Sequence, residues 1–175
     1  MAGDVSQFDP SSDSDWQDLE FLLSDFARLT KSNVPFGHVA RELVDNVVEA
    51  LAATGATLWM LEGSDRLRVE SQHDVRGAAA SDADHRQLLL SIMRSGRPEV
   101  LPAQQADPGP GGTLSNLVLV PICIDDDAAG IIEVRQRADI TDESLDGNLR
   151  FVSLLGELAA DHLRRREVRQ LRTAR

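Results

Sequence analysis

The chain holds a single cysteine, Cys123, in 175 residues. An internal disulfide and a cysteine-rich metal site are therefore excluded, and the place of this thiol inside an apolar run reads as a small buried hydrophobe rather than a nucleophile. Long apolar runs are also lacking, and none approaches the roughly 18 residues that a membrane-spanning helix needs. The opening MAGDVSQFDPSSDSD has neither the basic start nor the apolar stretch of a secretory signal. A cytoplasmic setting is the expectation. Basic residues are outnumbered, 18 against 29 acidic, for a formal net charge of −11. That balance argues against nucleic acid as a partner, because phosphate binding draws on clustered Lys and Arg.

Catalytic signatures are missing in the same way. No Ser-His-Asp set and no carboxylate pair beside an activatable nucleophile can be picked out. The GPGG at 109 to 112 lacks the Lys and Ser/Thr that complete a phosphate-binding loop, so it reads as linker. No internal repeat is present. The expectation is a protein that is not an enzyme.

What is present is an ordinary globular composition, 42% hydrophobic and 27% charged, at a length suited to one domain. Residues 1–14 are acidic, rich in Ser, Asp and Gly, and too poor in apolar groups to offset ordering entropy. They are expected to be a disordered leader ahead of a domain spanning 15–163. Trp16, Leu19, Leu22, Leu23, Phe26 and Leu29 recur at helical spacing, with Asp13, Ser14 or Asp15 available as a cap. A second helix fits 36–53 behind Pro35, with Gly55 as its stop. ATLWMLEG (56–63) and RLRVESQ (66–72) read as an antiparallel hairpin, DHRQLLLSIMRSG as a third helix stopped by Gly96, and PEVLP as a short extended piece. QQADPGPGGT (104–113) reads as a mobile surface loop. Two strands follow in NLVLVPICIDDDAAGIIEVR, then a long helix from Thr141, whose Thr-Asp-Glu start suits a helix N-terminus. The implied fold is α+β, a mainly antiparallel sheet with terminal helices packed on one face. Residues 164–175 form a basic extension with six of the 18 basic residues and one acid, leaving the rest of the chain at −16.

From Leu117 to Leu163 the chain resembles the C-terminal half of a GAF domain. The matching residues are Val120-Pro121, the acidic turn Asp125 to Asp127, Gly130-Ile131-Ile132-Glu133-Val134, Thr141-Asp142-Glu143, and the helix with Leu154-Leu155 and Leu158-Ala159-Ala160. Ile140 stands where that family often has an aromatic residue. The N-terminal half resembles the family through a helix running into ATLWMLEG, which extends the likeness over roughly 16–165. The resemblance implies a small-molecule pocket on the sheet face opposite the terminal helices, and a sensory or regulatory role.

Members that bind cyclic nucleotides carry an Asn-Lys pair and a Phe before the final Asp-Glu, and only Asp142-Glu143 is present here. Covalent bilin attachment needs a cysteine in the pocket, and the family's methionine sulfoxide reductase depends on several. His73 and His85 flank the loop bordering the pocket, but no metal-ligand spacing joins them. Trp59, Leu89 and Met93 are candidates for its apolar lining. Arg68, Glu133 and Arg135 are candidate polar contacts, set by period two against inward Leu67, Val69, Ile132 and Val134, with a solvated face as the alternative. Leu19, Leu22 and Phe26 with Leu149, Val152, Leu155, Ala159 and Leu163 are the candidate homodimer interface, in competition with packing on the chain's own sheet.

The expected function is a regulatory domain that binds an unknown small molecule or dimerises, relaying its state through the terminal helix to a fused or partner effector. The competing expectation is a pocketless dimerisation or protein-interaction module. No cofactor is required by the sequence, and a membrane role for the arginines would arise only if the chain continues beyond Arg175.

Overall fold

A computed structural model of the chain describes residues 13–74, 83–103 and 114–174. The segment 104–113 and all but the end of the acidic leader lie outside the described residues, as do the side chains of the candidate caps Asp13, Ser14 and Asp15. The elements run α1 (Asp13–Lys31), α2 (Phe36–Leu51), β1 (Gly55–Glu62), β2 (Arg66–Asp74), α3 (Ala83–Ser95), β3 (Glu99–Leu101), β4 (Ser115–Ile124), β5 (Asp127–Arg137) and α4 (Asp142–Thr173). The strands form one antiparallel sheet in the order β2-β1-β5-β4-β3. Helices α1, α2 and α4 cover one face and α3 the other.

Because both faces of the central strands are covered, these strands read as nearly continuous apolar runs. Alternate residues go to opposite sides. Val118, Val120, Ile122, Ile132 and Val134 join the core beneath the three helices, while Leu117, Leu119, Ile131 and Trp59 pack against Leu89, Leu90, Ile92 and Met93 of α3. At about 1.5–3 kcal/mol for each large side chain removed from water, both layers contribute heavily.

Helix α2 buries Val39, Leu43, Val44, Val47, Val48 and Leu51 along one side. Gly55 is not its stop. The helix ends at Leu51 because Ala52 turns left-handed (φ 47°), letting the Ala53 N–H donate to the Val48 carbonyl at 3.1 Å. Gly55 instead opens β1. At the end of α3 the expected stop is seen: Gly96 sits at φ 67°, the left-handed region open to glycine, and donates to Ile92 and Met93.

Pro121 lies where a strand tolerates it. β3 pairs only with Leu117 to Leu119, so beyond Leu119 strand β4 has a neighbour on one side alone, and a bulge follows between Ile122 and Cys123. The acidic turn closes the β4–β5 hairpin with Asp125 at φ 57°. Gly130 answers to a close approach: a Cβ there would meet the Trp59 carbonyl oxygen at 2.5 Å and the Met60 sulfur at 2.8 Å. Glycine lets β5 approach β1 closely beside Trp59.

Helix α4 starts at its expected cap, the Thr141 hydroxyl accepting from the Ser144 N–H at 3.2 Å, and continues unbroken to Thr173. Its 32 residues span about 48 Å. At Gly156 it lies so near the sheet that an added Cβ would be 3.3 Å from Val120 and 3.5 Å from Ile132. Two polar residues share its buried stripe. Asn148 is enclosed, and the His162 ring stacks on Phe36 with its Nδ1 at 2.8 Å from the Thr30 carbonyl.

The candidate dimer residues are mostly spent inside the chain. Leu19, Phe26, Val152, Leu155 and Ala159 are at most 2% exposed, and Leu22, Leu149 and Leu163 are half-buried against the same core. The apolar groups left outside on α1 and α4 are Phe21, Leu154, Val168 and Leu171. The helical period identified the buried stripe correctly; the chain's own sheet covers the α4 part of it, and α4 and α2 cover the α1 part.

Candidate functional site

The site is built on two adjacent central strands. In the β1–β5 ladder Trp59 opposes Ile131 and Thr57 opposes Glu133, so Trp59 and Glu133 are diagonal neighbours on the face beneath α3. The Trp59 indole N–H donates to Glu133 Oε1 at 3.2 Å, fully buried. From the first turn of α3, His85 reaches down until its Nε2 is 2.8 Å from Glu133 Oε2. The distance is that of an ion pair, although the approach is off the direction of a good hydrogen bond.

Glu133 is 1% exposed. Burial by itself would push its carboxyl up, because the charged form loses water. The contact and charge of His85, then the Arg135 guanidinium and the Trp59 N–H, together outweigh that effect and hold the carboxyl below its ordinary value. Glu133 is thus an enclosed carboxylate that ties helix to sheet.

Beside this trio opens a cavity of about 250 Å³ lined by Trp59, Arg66, Leu67, His85, Arg86 and Leu89. The strands supply its floor, the edge strand β2 one wall, and α3 the cover. Arg66 and Arg86 stand exposed at the rim, and among the described residues neither guanidinium lies within 4.0 Å of a carboxylate.

Of the candidate residues read from the sequence, Trp59, His85 and Leu89 line this cavity, Glu133 lies directly beneath it, and Met93 packs deeper in the same layer. Arg135 acts on Glu133 through its charge. Arg68 is elsewhere: it pairs with Glu62 at 2.7 Å and with Glu70, whose carboxylate faces Gly37 of α2. The salt bridges raise the Arg68 pKa, chiefly through Glu70. His73 contacts Asp45 of α2 at 2.9 Å, so the two histidines occupy opposite faces of the sheet. Ion-pair partners invisible to a period-two reading decide both positions, Asp45 of α2 for His73, and Glu62 of β1 with Glu70 of β2 for Arg68.

The same reading assigned Leu67 and Val69 the direction of Ile132 and Val134. Leu67 instead packs on the α3 side, while Ile132 and Val134 belong to the helical core. The solvated-face alternative fails for Glu133 because α3 covers it. Arg66 and Arg86 escaped the sequence reading, since an exposed arginine in a hairpin or first helical turn has no distinguishing pattern. Among the described residues no group of three or more His, Cys, Asp or Glu could hold a metal ion. Cys123 is half-buried, and burial pushes its thiol up, away from the reactive thiolate. No helix among the described residues is long and apolar enough to cross a membrane.

The sequence matches no family model and, at a significant level, no curated protein. Solved structures do match. The GAF domain of A. aeolicus Nlh2 in an inactive state superposes with a TM-score of 0.70 at 16% identity, covering 87% of this chain and 99% of that one. A protein from Burkholderia vietnamiensis described as a GAF sensor gives 0.67 at 18% identity over 90% and 97% of the two chains. The free methionine-R-sulfoxide reductase of Neisseria meningitidis, with its substrate bound, gives 0.65 at 12% identity over 88% and 95%. With its five-stranded antiparallel sheet, three helices on one face and a single covering helix on the other, the chain has the fold of a GAF domain.

Proposed function

We propose that this is a regulatory domain that binds a small molecule in the cavity between α3 and the sheet and passes its occupancy to α4. The observation that carries the proposal is the enclosed Trp59–Glu133–His85 trio beside that cavity. A buried carboxylate held by one residue of a covering helix makes the position of that helix sensitive to whatever enters next to it. The route onward runs through β5: Glu133 and Ile131 face the cavity side, and Ile132 between them touches α4 at Gly156. Displacing Glu133 therefore shifts the surface on which α4 rests, and a ligand that prefers one position biases the pair of states.

A thiol-based reduction in which one cysteine is resolved by another would need a second cysteine, and Cys123 is the chain's only one. The test is a thermal-shift screen of acids, amines, neutral aromatics and purines on the full chain and on a Leu67→Trp variant that fills the cavity. A ligand at a hundred times its Kd raises Tm by about 5–10 °C in a domain of this size, and only in the unfilled protein. No shift from any class would refute the ligand reading.

A pocketless interaction module is favoured by one separate observation. An open groove of about 510 Å³ runs along the outer side of α4 past Pro98, Leu149, Arg150 and Leu154. Light scattering on wild type and Leu154→Glu separates the readings: a dimer abolished by the charge supports an interface there, whereas a monomer in both cases removes it.

A further inference from the structure

Resting on the small-ligand reading of the cavity, we infer that its ligand is a small organic carboxylate, bound with its anionic end between Arg66 and Arg86 and its apolar body against Trp59, Leu67 and Leu89. In a molecule with a formal net charge of −11 the general field repels anions. Two guanidinium groups that have no carboxylate within 4.0 Å among the described residues, both at the mouth of the same cavity, are therefore a local reversal of sign. They are contributed by different elements, Arg66 by the start of β2 and Arg86 by the first turn of α3. An anion bridging them would fasten the covering helix to the sheet edge, which is the motion the regulatory reading requires. Arginine suits a carboxylate because its planar fork matches the two oxygens.

The size and the floor of the cavity narrow the class. About 250 Å³ is the share of roughly eight water molecules and falls below the usual range for drug-sized ligands, which favours a ligand smaller than a nucleotide. The inner wall is apolar except for the His85–Glu133 pair, and the Glu133 charge is already balanced by His85 and Arg135. With those two groups already engaged by Glu133, a second carboxylate pointing inward would lose its water without a counter-charge of its own among the described residues. The ligand is thus a monoanion whose other end is apolar or neutral, of the bulk of a single aromatic ring or a branched aliphatic acid.

Trp16 and Trp59 are the only tryptophans, so a Trp16→Phe chain reports on the cavity through Trp59 fluorescence. The probes are benzoate, benzamide and benzylamine, which share one ring and differ in charge. Benzoate is expected to quench saturably and to bind at least about tenfold tighter than benzamide, since a charged hydrogen bond commonly contributes that much. Arg66→Gln and Arg86→Gln, both exposed positions, should each weaken benzoate by about tenfold and leave benzamide unchanged. Equal binding of benzoate and benzamide, tighter benzylamine, or indifference of benzoate to both arginine changes overturns the carboxylate assignment while leaving a ligand site in place. Silence from all three probes overturns the assignment as well; the broad screen above then decides whether any ligand site stands.

Discussion

Removing the Glu133 carboxylate is the most direct test of the enclosed trio. Glu133→Leu puts an apolar side chain of similar bulk in its place, leaving the Trp59 N–H without its buried acceptor and removing the charge that faces His85. Breaking a buried charged pair from one side costs about 3–5 kcal/mol. Glu133→Gln keeps one oxygen for Trp59 and loses the charge facing His85, so about 1–3 kcal/mol is expected. Urea denaturation at pH 7 measures both, and at about 2–4 °C per kcal/mol the loss is also visible in Tm.

The pH dependence carries the sign. The folded-state pKa of Glu133 is depressed, so its contribution is present above the unfolded value of about 4.3 and is lost as pH falls from there through the lower folded value. The stability gap between wild type and Glu133→Gln should therefore be widest above about pH 5 and narrow on acidification. A gap that widens as pH falls would mean that burial wins and Glu133 is held protonated, which refutes the ion-pair reasoning. A cost below about 1 kcal/mol for Glu133→Leu would refute it too.

Two glycines should behave oppositely under the same substitution. Gly130→Ala drives a Cβ to 2.5 Å from the Trp59 carbonyl, backbone that cannot rotate away, and should cost about 1–3 kcal/mol by urea titration. Gly156→Ala meets only the side-chain tips of Val120 and Ile132 at 3.3 and 3.5 Å and gains up to about 1 kcal/mol of helix propensity, so its net change should lie near zero by the same titration. Thr141→Ala removes the oxygen that caps α4 and should cost about 1 kcal/mol, seen as loss of amide-exchange protection at Ser144.

Much of the architecture was legible because periodicity reports burial. The stripe at Trp16 to Leu29, the apolar runs of β4 and β5, and the Thr-Asp-Glu start of α4 each announce an element by local rules, and those elements occur. Trp59, Leu89 and His85, candidates through the family resemblance, line the cavity. What stayed hidden depends on distant partners. Arg68 and His73 are held on the helical side by Glu70 and Asp45, and Glu133 became a buried anchor only because α3 folds across it. The need for glycine at 130 is set by the Trp59 carbonyl of another strand, 2.5 Å from where a Cβ would lie, and no local pattern reports it.

The alternation along β5 limits how such a domain can acquire a new ligand. Ile131 and Glu133 serve the cavity layer while Ile132 and Val134 serve the helical core, and the four are consecutive. A change of volume in this strand edits recognition and scaffold together. Arg66 and Leu67 on the sheet edge, and Arg86 and Leu89 on the covering helix, lie outside that conflict. On the proposed ligand reading, specificity can drift through these peripheral positions while the central strands keep their residues, so chains of this architecture could share a β5 and answer to different molecules.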